Sequence, residues 1–127
     1  MENYIVKNIT ILNENQVNLL NRLGFRIPSF IGHDREVKSG DWYFEKMYET
    51  CGGVFVLGIR IHSYYFGDSH CEKFIQIKTP RDSWWSDWWH INEFIKEMNA
   101  FLQELKSDLS DLEIVGIIEK VDSVNGE

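Results

Sequence analysis

The stretch that decides the fold is residues 41–66, DWYFEKMYETCGGVFVLGIRIHSYYF. Two segments rich in β-branched and aromatic residues flank Gly52-Gly53, and a Gly-Gly pair is typical of a two-residue hairpin turn. A turn at these glycines places Glu45 opposite Arg60, a favourable cross-strand charge pair. The sequence therefore predicts an antiparallel hairpin.

The alternation within this hairpin predicts one buried face. That face carries Phe44, Tyr48, Phe55, Leu57, Ile59 and Ile61. Gly58 falls on the opposite face, where a mid-strand glycine indicates a bulge or close packing against an aromatic ring. After a turn at 67–71, residues 72–78 alternate again, with Ile75 and Ile77 inward, and extend the hairpin to a three-stranded meander.

The flanking segments add helices and outer strands. Residues 3–11 are typical of a strand, and Asn13 with Gln16 has the spacing of a helix-capping box. Gly24 marks the end of that helix, because glycine readily takes the left-handed conformation of a C-terminal cap. Residues 25–40 then form a long loop that we expect to pack against the core or to contain a short strand or turn.

The second half of the chain predicts one long helix and a last strand. Residues 86–106 repeat apolar side chains at three- and four-residue spacing, as an amphipathic helix does. Residues 112–121 are typical of a final strand. The prediction is a single α+β domain over residues 1–127, with an antiparallel sheet packed by two helices in the order β-α-β-β-β-α-β.

Charge is unevenly distributed along the chain. The net charge is −7; residues 1–80 carry 9 basic and 9 acidic side chains, whereas residues 81–127 carry 4 and 11. Direct nucleic-acid binding needs a basic patch, so this balance argues against it. An acidic field favours basic protein partners, although it also serves solubility alone.

The most unusual segment is DSWWSDWWH, residues 82–90. If it is helical, Trp88 shares the buried face, whereas Trp85 and Trp89 project with the polar residues. Tryptophan beside charge is typical of a binding hot spot. The candidate partner-binding residues are Asp82, Trp85, Asp87, Trp89 and Glu93. The alternative is that Trp85 and Trp89 pack beneath the 25–40 loop or on a sheet edge.

No motif indicates a cofactor, a metal or catalysis. The four histidines and two cysteines lack the spacing of structural zinc sites, and no phosphate-binding glycine loop is present. We therefore expect neither cofactor nor metal, and not an enzyme. The alternative, a small enzyme, would require polar side chains to meet in one cleft, with His33, Asp34, His62 and His90 as the candidates.

These observations favour a small acidic inhibitor that binds a basic protein. A bacterial immunity protein, or a phage-encoded antagonist of a nuclease, toxin or defence effector, has this character. A subunit of a larger assembly is the second hypothesis. No signal peptide or apolar run of about 18 residues is visible, and Cys51 and Cys71 are predicted to lie too far apart for a disulfide. We therefore expect a cytoplasmic location without membrane contact.

Overall fold

The chain has an α+β architecture, as predicted. The computed structural model describes residues 2–29, 34–80, 87–97 and 102–122. Its elements in these ranges are β1 (Glu2–Val6), α1 (Glu14–Leu23), β2 (Tyr43–Thr50), β3 (Gly53–Arg60), β4 (Tyr64–Phe66), β5 (Ser69–Cys71), β6 (Phe74–Thr79), β7 (Asp87–His90), α2 (Ile91–Glu97), α3 (Gln103–Ile114) and β8 (Ile118–Asp122). None of these helices is long and apolar enough to cross a membrane.

The main sheet is antiparallel and has the strand order β2-β3-β6-β7. The predicted meander is confirmed as β2, β3 and β6, and β7 adds a fourth strand that the sequence analysis did not predict. Two further pairs stand apart from this sheet: β1 with β8, and the short hairpin of β4 with β5. The predicted strand 54–66 is therefore two strands, because the chain leaves the main sheet after Arg60.

The predicted hairpin register is wrong by two residues. Arg60 pairs with Tyr43 instead of Glu45, and Thr50 pairs with Gly53. The turn therefore consists of Cys51 and Gly52, and the Thr50 hydroxyl donates to the Gly53 carbonyl at 2.8 Å. Side chains alternate with a period of two, so a slip of two residues exchanges partners but preserves the faces. The predicted buried face is accordingly confirmed.

Helix α1 begins and ends where its capping signals predict. The Asn13 side chain accepts from the Gln16 amide at 2.8 Å, and the Gln16 side chain accepts from the Asn13 amide at 2.9 Å. Gly24 closes the helix in the left-handed region with φ 102°. The Phe25 amide then donates to the Leu20 carbonyl, and this bond turns the chain toward the sheet.

The predicted long helix is wrong at both ends. Residues 87–90 form β7, and helix α2 begins only at Ile91. Helix α3 continues to Ile114, so the last strand begins at Ile118 instead of residue 112. The 3-and-4 spacing of Leu105, Leu109 and Leu112, all fully buried, explains why this part is helical.

All three described helices pack on one face of the main sheet, which we call the inner face. Leu57, Ile59, Ile75 and Ile77 are buried on it. Helix α2 contacts it through Phe94, which meets Phe55 at 6.0 Å between ring centroids. Helix α3 contacts it through Asp108, and α1 ends at Gly24, directly beside the Lys46 side chain. The opposite face is therefore left uncovered by these helices.

Two connections join the outer segments to this core. The Asn92 side chain bonds both the amide and the carbonyl of Tyr4, at 2.7 and 3.0 Å, and so ties α2 to β1. In the 25–40 segment, Arg26 pairs with Glu45 of β2, and Ile27 pairs with Arg35. These bridges confirm that the segment contains short extended pieces. Arg35 also bonds Asp41 and holds the pKa of that carboxyl below its usual value.

Candidate functional site

The candidate site is the face of the main sheet that points away from the helices, which we call the outer face. Strand alternation assigns to it Tyr43, Glu45, Met47, Glu49, Val54, Val56, Gly58, Arg60, Phe74, Gln76, Lys78, Trp88 and His90. The ring contact between Tyr43 and Phe74, at 6.0 Å, confirms this assignment. The arrangement is a four-stranded surface that mixes aromatic and charged side chains.

An arginine in a cluster of aromatic rings occupies one end of the outer face. The Arg60 guanidinium carbon lies 4.7 Å from the Phe74 ring centroid, 5.6 Å from that of Trp42 and 5.9 Å from that of Tyr43. Each distance is within the range of cation–π attraction. The cluster therefore places a guanidinium among aromatic rings at this corner of the face.

A glycine allows two aromatic side chains to meet over the centre of the outer face. A Cβ added to Gly58 would lie 2.9 Å from the Tyr43 hydroxyl oxygen and 3.3 Å from the Trp88 ring. The predicted close packing of Gly58 against an aromatic ring is therefore confirmed. Burial and the bond from the Tyr43 hydroxyl to Glu45 raise the pKa of Tyr43, so its hydroxyl remains a proton donor.

Large apolar side chains on this face remain accessible. Met47 of the edge strand β2 is 60% exposed, and Trp88, whose ring extends from the edge strand β7 to Gly58 of β3, is 39% exposed. Val54 is exposed near the hairpin end, and Trp42 is exposed beside Arg60. Exposed apolar side chains grouped on one surface are typical of a protein-contact site.

The five candidate residues from the sequence are only partly placed. Asp82 and Trp85 lie outside the described residues. The backbone of Asp87, the first residue of β7, pairs with Thr79 of β6. Glu93 is exposed in the first turn of α2. The polar helix face expected for Trp89 is wrong, and the alternative of packing on a sheet edge is confirmed, because Trp89 lies in the edge strand β7 and packs against the core.

Trp88 is an exposed tryptophan of β7 that was not among the candidates from the sequence. In a helix Trp88 is in phase with Ile91, whereas in a strand Trp88 and Trp89 point to opposite faces. Trp89 pairs with Ile77, and its indole Nε1–H is buried with no acceptor in the described part of the chain. The signal that could have predicted β7 was the high strand propensity of tryptophan, in a segment that follows a strand with an unpaired edge.

A second candidate is a buried charged cluster that joins β2 to α3. Lys46 Nζ lies 2.6 Å from Asp108 Oδ2 and 2.8 Å from Glu104 Oε2, and the Tyr48 hydroxyl donates to the same Asp108 oxygen at 2.7 Å. Burial is the main cause that raises the pKa of the Tyr48 hydroxyl, and the hydrogen bond to Asp108 raises it further. The Lys46 and Asp108 side chains are only 8% and 5% exposed, so the cluster is a structural link and not a surface for a partner.

The histidines do not meet in one described cleft. His90 lines a cleft of about 450 Å³ beside Lys7 and Glu119, whereas His62 lines an adjoining cleft of about 340 Å³. His33 lies outside the described residues, and Asp34 lines neither cleft. Within the described ranges no three His, Cys, Asp or Glu side chains are grouped to hold a metal ion.

Comparison with known proteins adds no relative: no family model matches the chain, and no curated protein or solved structure matches it significantly.

Proposed function

We propose that this protein is a small protein-binding module of the inhibitor type, and that it contacts its partner through the outer face. The observation that carries the proposal is the location of Met47 and Trp88, which are exposed on a sheet face opposite the helices. Tryptophan is enriched among residues that dominate binding energy, and the packing of the Trp88 ring against Gly58 lowers the entropic cost of fixing it in a complex. In this proposal Trp88 contacts the partner, a function that the sequence had suggested for Trp89. Trp89 instead packs against the core.

The partner that fits best is a basic protein. Glu93, Glu97 and Glu104 are exposed carboxylates of α2 and α3, on the other side of the sheet from the outer face, and they belong to residues 81–127, which carry the acidic excess; they therefore act through the long-range field and not by contact. Such a field speeds the encounter with a positively charged partner and repels nucleic acid. A nuclease toxin or a defence effector carries positive charge around its active site, so an immunity protein or a phage-encoded antagonist would have this character.

The proposal includes a reducing compartment, the cytoplasm. Cys51 is an exposed free thiol at the tip of the β2–β3 hairpin. An exposed thiol persists where glutathione and thioredoxin keep cysteines reduced.

The test is an affinity capture with matched variants. The baits are the wild type, Trp88→Ala and a control, Ile114→Ala, which removes an apolar side chain that is 78% exposed on α3. We expect a basic protein that the wild type and the control retain and that Trp88→Ala loses. With that protein purified, Trp88→Ala should weaken binding by about 2 kcal/mol, or roughly 30-fold in Kd.

Folding of each bait is checked by circular dichroism before capture. If a folded Trp88→Ala variant binds the partner as tightly as the wild type, the outer face is not the contact surface. If the partner instead loses affinity for a Glu93→Lys/Glu97→Lys variant alone, the contact lies on the acidic helix α2.

A further inference from the structure

Strand β2 is an edge strand of the main sheet, and the chain itself covers only part of its free edge. The amide and the carbonyl of Glu45 bond to Arg26, at 2.9 and 2.8 Å, on the side away from β3. Backbone groups of successive residues in a strand alternate in direction, so those of Met47 and Glu49 point to the same side as those of Glu45. In the described part of the chain no group bonds to Met47 or Glu49 from that side. Two amides and two carbonyls of this edge are therefore open to another strand.

The segment that covers the edge ends at Arg26 because helix α1 ends just before it. With Arg26 opposite Glu45 in an antiparallel bridge, Gly24 is the residue that comes opposite Met47. Gly24 has φ 102°, and its amide bonds back to carbonyls of α1, so it caps the helix and does not continue the ladder. The described chain thus leaves the edge of β2 without a neighbouring strand beyond Glu45.

The side chains along the open edge are apolar and acidic. Met47 and Glu49 are both exposed on the outer face, and Met47 is 60% exposed. The Glu45 carboxylate, two positions before Met47, accepts a hydrogen bond from the Tyr43 hydroxyl. The Glu49 carboxylate forms no hydrogen bond or ion pair with the residues that the structure describes. A strand added here therefore meets one accessible thioether and one accessible carboxylate.

We propose that the protein partner contributes an extended segment that carries lysine or arginine, and that this segment adds to β2 as a fifth, antiparallel strand. The proposal rests on the proposed function and specifies what the partner supplies. Main-chain hydrogen bonds to Met47 and Glu49 give affinity in this mode of binding, and alternate side chains give specificity. Directly opposite residues project to the same face, so the side chain opposite Glu49 meets its carboxylate. The chain already places a cationic residue on this edge, because Arg26 lies opposite Glu45.

The carboxylates of the edge favour a basic segment over a second copy of this chain. Pairing β2 with β2 of another molecule brings Glu45 and Glu49 of both copies onto neighbouring strands, and like charges opposite each other are destabilising. Charged side chains on an edge strand protect proteins from such self-association. The added strand lies about 4.8 Å from β2, so it extends the outer face by one strand and is continuous with the proposed contact surface.

The test is amide hydrogen exchange of the whole chain, followed by NMR, with a synthetic peptide as the probe. The peptide is end-capped and reads lysine-threonine-valine-threonine-lysine-threonine-valine, so that lysine and valine share one face of a strand. In the free protein the amides of Met47 and Glu49 should exchange fast, whereas those of Lys46 and Tyr48, which point toward β3, should be protected. At a peptide concentration ten times its measured Kd, the amides of Met47 and Glu49 should exchange about tenfold more slowly.

Two modified peptides separate the backbone from the charge. N-methyl groups on the lysine and valine amides block the hydrogen bonds of an antiparallel strand and should abolish binding, whereas N-methyl groups on the threonine amides should not. A peptide with glutamate in place of lysine should bind the wild type at least about tenfold more weakly than the lysine peptide, and Glu49→Lys should reverse this preference.

Met47→Pro and Met47→Ala are the matched protein variants. Both lose the thioether, but only proline removes the amide that points away from β3, and proline is tolerated on an edge strand in this position. With folding verified by circular dichroism, Met47→Pro should bind the peptide at least about tenfold more weakly than Met47→Ala.

Three results would overturn the inference: no slowing of exchange at Met47 and Glu49 with millimolar peptide, equal affinity of Met47→Pro and Met47→Ala, or equal affinity of the two N-methylated peptides. Protection of these amides that increases with protein concentration in the absence of peptide would assign the edge to a second copy and also overturn it. The measurement needs no natural partner, so its failure leaves the capture that depends on Trp88 untouched. Failed capture beside a bound peptide would instead refute the proposed function of the outer face.

Discussion

The buried pair of Lys46 and Asp108 allows a quantitative prediction about stability. With an effective dielectric constant of about 20, two unit charges 2.6 Å apart attract each other by roughly 6 kcal/mol, and this attraction offsets the loss of their hydration. Removing one partner leaves the other charge in the core. We therefore expect Lys46→Met and Asp108→Leu each to lower the free energy of unfolding by about 3–5 kcal/mol.

The double variant should be less destabilised than either single variant. Replacing a buried ion pair by apolar side chains of similar volume is often neutral, and here it leaves only the Tyr48 hydroxyl without its acceptor, at a cost of about 1–3 kcal/mol. Adding Tyr48→Phe should recover most of that loss. Glu104→Ala is the control: the Glu104 side chain is 65% exposed, so its loss should cost about 1 kcal/mol or less.

The assay is urea unfolding monitored by circular dichroism, with the slope m compared among variants to verify that the same transition is measured. Strong coupling between the two substitutions supports a buried, mutually dependent pair. If the losses of the two single variants simply add in the double variant, then Lys46 and Asp108 stabilise the fold independently, and the reasoning is refuted.

Three further predictions concern local features. The pKa of Tyr48 is raised in the folded protein, so the stability that its hydroxyl contributes is complete below the ordinary pKa of about 10 and declines above it. Above that pH the free energy of unfolding of the wild type should therefore fall by about 1.4 kcal/mol per pH unit more than that of Tyr48→Phe. Equal dependence of the two unfolding free energies on pH would contradict this. Gly53→Ala should destabilise by more than about 1 kcal/mol, because Gly53 has φ 122° and an added Cβ would lie 2.5 Å from Pro80, whereas the neighbouring Gly52→Ala should be nearly neutral. Asn13→Ala should cost about 1 kcal/mol of thermal stability through loss of the cap on α1, and an unchanged Tm would show that the capping box contributes nothing.

Local patterns were sufficient for the elements whose signals are local. The capping box at Asn13, the cap at Gly24 and the alternation around Leu57 follow from residues only a few positions apart, and all three are confirmed. The hairpin register failed because three consecutive residues, Cys51 to Gly53, offer more than one turn. The strand faces survived that error because both registers keep the same alternation.

The features that failed depend on distant partners. Strand β7 forms because β6 offers an open edge, and the helical spacing that includes Trp88 and Ile91 concealed that pairing. Asp108 lies beyond the predicted helix 86–106 and no local pattern marks it as buried, yet it is buried against Lys46, which lies 62 positions away in sequence. The outer face was missed for the same reason, because Met47 and Trp88 share a surface only once four strands are paired.

The pairing of β1 with β8 also sets the order in which the fold can be completed during synthesis. Val6 pairs with Ile118 and Glu2 with Asp122, so the first strand has no partner in this sheet until nearly all of the described chain has left the ribosome. The β2–β3 hairpin and α1 depend on nearby residues and can form much earlier. Closing a loop of more than a hundred residues is slow relative to these local steps. Strand β1 therefore lacks its partner β8 while residues 7–117 are synthesised, in an interval during which chaperones have access to it.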